Sequence, residues 1–181
     1  LFDIKRSVRR AKDGERITTL DEKEVVLTRD NLLICDGEKG IALAGIMGGL
    51  NSEIKTDTES VLFECAKFKR DNVRRSSRTL GVSSDSSKRF EKGVDEYTTE
   101  RAMNRALSLI CELKAGRVTG VRRDVSAGGK QENAVVETTF DKINGVLGIE
   151  VPKDEIISVL KRLNFGVEAN GNRIRTVAPP Y

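Results

Sequence analysis

Apolar residues in the first third of the chain fall in short, β-branched runs. Glu24-Val25-Val26-Leu27-Thr28 and Asn31-Leu32-Leu33-Ile34-Cys35 predict two strands, and Asp36-Gly37 marks a turn before a third run, Ile41-Ala42-Leu43-Ala44. Ser60 to Phe68 continues the pattern as a further strand, apolar except for Glu64. The period then changes. Arg70 to Leu80 reads as a helix with Gly81 as its stop. A short helix follows from about Ser84, whose hydroxyl can cap it while Asp85 complements the helix dipole. Asp95 is placed to cap the longest helix, which runs to about Lys114 and stops at Gly116. In it Ala102, Ala106, Leu109 and Leu113 share one apolar face. Arg117 to Val125 predicts one more strand.

Ser126 to Asn133 has the composition of a linker. Beyond it, Val135-Val136 starts a strand, Asp141 to Leu147 a short helix ended by Gly148, and Pro152 opens a helix to Leu163. Phe165 to Val167 and Arg173 to Val177 flank Asn170-Gly171, a hairpin signal. The fold class expected is α+β: a larger mixed-strand domain with a few helices over residues 1–126, a linker over 127–133, and a small α+β domain over 134–181. That small domain is marginal for independent folding. The chain opens on Leu-Phe-Asp without Met and closes on Pro-Pro-Tyr, so both ends are expected to continue into a longer polypeptide.

With 38% apolar and 33% charged residues, the 181-residue chain can build a real core and a solvated surface. No apolar run approaches the roughly 18 residues of a membrane span, and Leu1 opens no signal-peptide pattern. Cys35, Cys65 and Cys111 are far apart and set among apolar residues, which predicts three buried thiols in a reducing compartment. There is no histidine. Ser-His-Asp and Cys-His triads are therefore excluded within this chain, as are ordinary Cys/His zinc sites. Net charge is only +4 but uneven: Lys67, Lys69, Arg70, Arg74, Arg75 and Arg78 face a single anion, Asp71. Such a stripe is either a solvated helix face or a phosphate-facing surface.

Three motifs carry candidate chemistry. Gly45-Ile46-Met47-Gly48-Gly49 lacks the Gly-Lys-Ser/Thr of a phosphate loop; it is a tight turn, or a turn whose backbone can approach a ligand closely. Glu64, inside Val61-Leu62-Phe63-Glu64-Cys65-Ala66, lies either on a solvent face or buried beside a partner. Gly81-Val82-Ser83-Ser84-Asp85-Ser86-Ser87-Lys88-Arg89-Phe90-Glu91-Lys92-Gly93-Val94-Asp95 supplies hydroxyls at a helix start, serving as caps or as pocket lining. Arg89 and Glu91 can also form a structural ion pair.

In this order the three motifs resemble the beta subunit of bacterial phenylalanine–tRNA ligase, in its central domain that hydrolyses mischarged tRNA. Phe140-Asp141-Lys142-Ile143-Asn144, with Leu147-Gly148, resembles the opening of the small domain that follows it. The resemblance implies an editing pocket formed by Gly48, Glu64, Ser84 and Ser86, with Glu64 recognising the phenolic hydroxyl of tyrosine. A phenylalanine site rejects one added hydroxyl weakly, whereas a site that accepts a hydrogen bond from that hydroxyl can demand it. Ser84 stands where the family commonly has threonine, and Ser86 where it has alanine, so the second position departs from the pattern.

The resemblance further implies tRNA contact through Arg74, Arg75, Arg78, Lys88 and Arg89. The catalytic group is unassigned; water would be positioned by backbone amides and the tRNA's terminal hydroxyl. The whole enzyme would charge tRNA-Phe using ATP and Mg²⁺, as a cytoplasmic heterotetramer of two alpha and two beta subunits, with no cofactor or metal ligand in this part. The alternative is a tRNA-binding or subunit-assembly module with a silent pocket.

Overall fold

The computed structural model describes residues 7–95, 97–120, 122–126, 128 and 132–181. The chain divides into two compact units, Leu1–Val118 and Thr119–Tyr181. Both mix helices with antiparallel strands, so the α+β expectation holds.

The first unit begins with six short strands: β1 (Ser7–Arg10), β2 (Arg16–Thr18), β3 (Glu24–Val26), β4 (Leu32–Cys35), β5 (Gly40–Leu43) and β6 (Met47–Gly48). They form a four-stranded sheet in the order β1-β4-β5-β6 and a β2-β3 ribbon, with a bridge between Thr19 and Gly49. Alternation sets the inward face. Leu33 and Cys35 of β4 are buried while Leu32 and Ile34 are partly open, and Leu33 pairs with Leu43. Ile17, Leu27, Leu33, Leu43, Ile46, Val73 and Val82 make the core.

A 3-10 turn, Leu50–Ser52, leads out of the sheet, and three helices follow: α1 (Arg70–Leu80), α2 (Asp85–Phe90) and α3 (Tyr97–Glu112). Helix α1 presents only Val73, Ser76 and Ser77 to the interior and ends at Gly81 in the left-handed conformation, as the sequence predicts. The Asp95 carboxylate accepts hydrogen bonds from the amide and hydroxyl of Thr98, the capping role expected of it.

Three expectations fail. Ser60 to Phe68 forms no strand, because no described strand runs alongside to take up its N–H and C=O groups. Arg117 to Val125 likewise forms no strand among its described residues; Val121 lies outside them. Only Cys35 is a buried thiol. Cys65 sits in the unpaired segment, and Cys111 is on α3, which buries no residue despite its apolar face.

The second unit contains β7 (Val135–Thr139), α4 (Phe140–Leu147), α5 (Lys153–Arg162), β8 (Gly166–Asn170) and β9 (Arg173–Val177), with sheet order β7-β9-β8. Phe140, Ile156 and Ile174 form its small core. Asn170 pairs with Arg173 across a two-residue Gly171-Asn172 turn, with Gly171 at φ +59°. The expected linker falls partly on Ala127, Gly129, Lys130 and Gln131, which lie outside the described residues.

Candidate functional site

Strands β5 and β6 are joined by a hairpin whose tip is Ala44-Gly45-Ile46, closed by a 2.9 Å bond from the Ile46 amide to the Leu43 carbonyl. Gly45 is required there. Its φ is +71°, and a Cβ would fall 2.7 Å from Phe68 Cδ2 and 3.2 Å from Val73 Cγ2. Gly48 follows in β6, where its carbonyl accepts from the Leu20 amide at 3.0 Å and a Cβ would meet Leu20 Cδ1 at 2.9 Å. The glycines thus let α1, the Phe68 ring and Leu20 close onto one hairpin.

The serine turn reaches the same hairpin. Ser84 caps α2 by accepting from the Ser87 amide at 3.1 Å, and the Ser84 amide donates to Ser87 Oγ at 2.9 Å. The Ser84 hydroxyl donates in turn to the Ile46 carbonyl. Ser86, exposed two residues on, directs its hydroxyl at the Gly45 carbonyl from 3.4 Å. Ser84 and Ser86 therefore both reach the Gly45-Ile46 tip, forming one corner with it, while Gly48 lies two residues further along the chain, against Leu20.

Glu64 lies on the segment that enters this corner through Phe68. That ring packs edge to face on Phe90 of α2, with centroids 5.2 Å apart. The Cys65 thiol donates to the Thr99 carbonyl at 3.0 Å, holding the neighbouring residue against the first turn of α3. The Glu64 side chain is open to solvent at its surface and makes no hydrogen bond or ion pair with a described residue. Surrounding protein atoms still thin the water around its carboxyl, and this desolvation raises its pKa above the ordinary glutamate range. No hydrogen bond joins Glu64 to Gly48, Ser84 or Ser86; what connects its segment to the hairpin is the Phe68 packing on Gly45.

The basic residues divide by environment. Arg74, Arg75 and Arg78 project from the exposed side of α1 without a carboxylate partner among the described residues, whereas Arg70 sits 3.6 Å from Asp71. Lys88 pairs with Asp85 at 3.5 Å, one helical turn away. Arg89 is exposed and forms no ion pair with Glu91, so the structural pairing considered for these two residues is absent.

A concavity of about 600 Å³ lies on another part of the first unit, lined by Arg9, Lys12, Glu15, Arg16, Lys39 and Asn51 among others. None of Gly48, Glu64, Ser84 or Ser86 lines it. Its two arginines are engaged internally: Arg9 binds Glu15 through two bonds of 2.7 and 2.9 Å, and Arg16 pairs with Glu24. No group of three or more Cys, Asp or Glu side chains among the described residues is placed to hold a metal ion. No described helix is long and apolar enough to cross a membrane.

Residues 2–115 match the family described as the B3/4 domain. The chain belongs to the B3/4 domain family. Residues 136–181 match the tRNA synthetase B5 domain. Phenylalanine–tRNA ligase beta subunits are among its relatives. That of Syntrophus aciditrophicus is 41% identical over 175 residues, covering 96% of this chain and 22% of that protein. That of Geobacter metallireducens is 48% identical over 160 residues, covering 88% and 20%. That of Geobacillus kaustophilus is 43% identical over 165 residues, covering 91% and 20%. The chain spans about a fifth of the length of these relatives.

All four expected pocket residues and all five expected tRNA contacts fall within the B3/4 domain. Sequence reading missed Leu20 and Phe68, the side chains packed on Gly48 and Gly45. A lone leucine before a turn and a phenylalanine before a helix carry no signal of their own; only the fold brings them to the hairpin.

Proposed function

We propose that this chain is the tRNA-editing part of a phenylalanine–tRNA ligase beta subunit, which binds the 3′ end of mischarged tRNA and hydrolyses its tyrosyl ester. The supporting observation is the meeting of the serine turn with the glycine hairpin: Ser84 on Ile46 and Ser86 on Gly45. That corner gathers hydroxyls beside backbone polar groups, components of a small polar-ended pocket. Gly48 is the hairpin wall, Ser84 and Ser86 its hydroxyl rim, and Glu64 the acceptor for the phenolic hydroxyl. An open carboxylate without a partner and with a raised pKa is apt for an acceptor that waits for its ligand. Water adds to the ester carbonyl carbon, the bond from that carbon to the terminal ribose oxygen breaks, and the proton given up by water ends on that oxygen, releasing tyrosine and free tRNA; backbone amides and the neighbouring ribose hydroxyl position the water.

Arg74, Arg75, Arg78, Lys88 and Arg89 guide the tRNA backbone toward this corner. In the whole enzyme the partners are tRNA-Phe and the alpha subunit, in a cytoplasmic assembly of two alpha and two beta chains. Charging there uses ATP and Mg²⁺, with neither held by this part. The editing domain occupies residues 1–126, a linker 127–133, and the start of the next domain 134–181. The test is to incubate the whole enzyme with tyrosyl-tRNA and phenylalanyl-tRNA separately. Faster loss of the tyrosyl ester supports the reading; equal, uncatalysed rates overturn it.

A second reading is a tRNA-binding or subunit-assembly module with a silent pocket. The unpaired Arg74, Arg75 and Arg78 favour it as far as binding goes. Under it, the enzyme holds tRNA and leaves both esters intact.

A further inference from the structure

The two serines at the corner are bonded differently, and a hydroxyl has only one proton to give. Ser84 gives its proton to the Ile46 carbonyl while its oxygen accepts from the Ser87 amide, so both capacities are engaged. It is partly buried. Ser86 is exposed, and its contact with the Gly45 carbonyl, at 3.4 Å, is at the outer limit of a hydrogen bond. Redirecting the Ser86 proton loses little. Redirecting the Ser84 proton unties the hairpin tip from α2, across 38 residues of sequence.

We infer that Ser84 is a positioning residue that latches the Gly45-Ile46 hairpin tip to the start of α2, and that Ser86 is the hydroxyl that donates to an oxygen of the bound aminoacyl ester. The latch holds the two edges of the corner at a fixed separation. The loose hydroxyl beside it is the one that turns from Gly45 to the ligand. The role of Ser86 rests on the editing reading; the latch does not.

Ser84→Asp separates cap from latch. A carboxylate still accepts from the Ser87 amide, as good N-caps do, but has no proton for Ile46. Ser84→Thr keeps both functions. Amide hydrogen exchange on the 181-residue chain reads the latch. Ser84→Asp is expected to speed exchange over residues 44–48 about tenfold while α2 stays protected, Ser84→Thr to match the parent, and Ser86→Ala to leave the hairpin unchanged. Unchanged exchange in Ser84→Asp overturns the latch. So does equal loosening in Ser84→Thr.

Hydrolysis of tyrosyl-tRNA by the whole enzyme reads the second role. Ser86→Ala should raise KM about threefold to tenfold with kcat nearly held, the loss of one neutral hydrogen bond made in the bound state. Ser84→Asp should lower kcat. A Ser86→Ala enzyme with unchanged KM overturns the ligand role of Ser86. A parent enzyme that spares tyrosyl-tRNA overturns the editing reading and that role together, while the exchange result still decides the latch.

Discussion

The rings of Phe68 and Phe90 meet edge to face, with centroids 5.2 Å apart and planes inclined by 68°. This contact joins the segment carrying Glu64 to the helix that Ser84 caps, where no strand pairing is available to do so. A double-mutant cycle with Phe68→Ala and Phe90→Ala, followed by denaturant unfolding, should give a coupling energy of about 0.5–1.5 kcal/mol. Additive effects would mean that the segment is held by something else.

Gly45 and Gly14 both have positive φ, +71° and +80°, yet only Gly45 has neighbours that a Cβ would strike. Gly14→Ala should cost about 1–2 kcal/mol, the conformational term alone. Gly45→Ala adds a collision with Phe68 and should cost about 2–4 kcal/mol. Equal losses in denaturant titrations would show that Phe68 gives way freely.

Acid should weaken the first unit through Glu15. The bidentate hydrogen bond from Arg9 pulls its carboxyl from 4.5 to about 2. Between those values the unfolded chain binds the proton that the folded chain refuses, so stability rises with pH. The contribution is complete above about pH 4.5 and lost as the pH falls toward 2. Arg9 is a third exposed, so screening trims the effect to about 1–2 kcal/mol. Glu15→Gln should flatten this part of the stability-against-pH curve. Asp21, Asp36 and Asp95, also pulled down, leave a residual slope of the same sign.

Much of this architecture is legible in the sequence because its signals are local. The Leu80-Gly81 stop, the Ser84 cap and the hairpin signalled by Asn170-Gly171 each depend on a few adjacent residues, and all appear, the hairpin turn displaced by one residue to Gly171-Asn172. Ser60 to Phe68 has strand composition but lacks a neighbour, a condition that no local pattern reports. Cys65 and Cys111 fail as buried thiols for the same reason: burial depends on what packs over them. At the candidate site, each motif is readable singly. The Ser84–Ile46 bond and the seating of Phe68 on Gly45 come from tertiary packing alone.

The basic stripe gives a prediction for binding. Charge reversal of Arg74, Arg75 and Arg78 together should weaken tRNA binding across sequences and flatten the dependence of log K on log salt. Each lost phosphate contact releases fewer counterions, about 0.7–0.9 of a slope unit apiece. An unchanged affinity and slope in a filter-binding titration would make the stripe a solvated helix face.

Glu64 supplies the pH prediction for function. Its carboxyl has a raised pKa through desolvation, and only the ionised form gives the phenolic hydroxyl a charge-assisted acceptor. Tyrosyl-tRNA hydrolysis should therefore weaken as the pH falls through a value above the usual glutamate range, and Glu64→Gln should remove that step.

The most direct measurement compares hydrolysis of tyrosyl-tRNA and phenylalanyl-tRNA by the whole enzyme, parent against Glu64→Ala. Loss of a charge-assisted hydrogen bond of about 1.5–3 kcal/mol predicts tyrosyl-ester hydrolysis slowed about tenfold to hundredfold. Phenylalanyl-ester hydrolysis should be unchanged or faster, and phenylalanine charging nearly intact. Equal slowing of both esters, or no change in either, would contradict a Glu64 that reads the tyrosine hydroxyl.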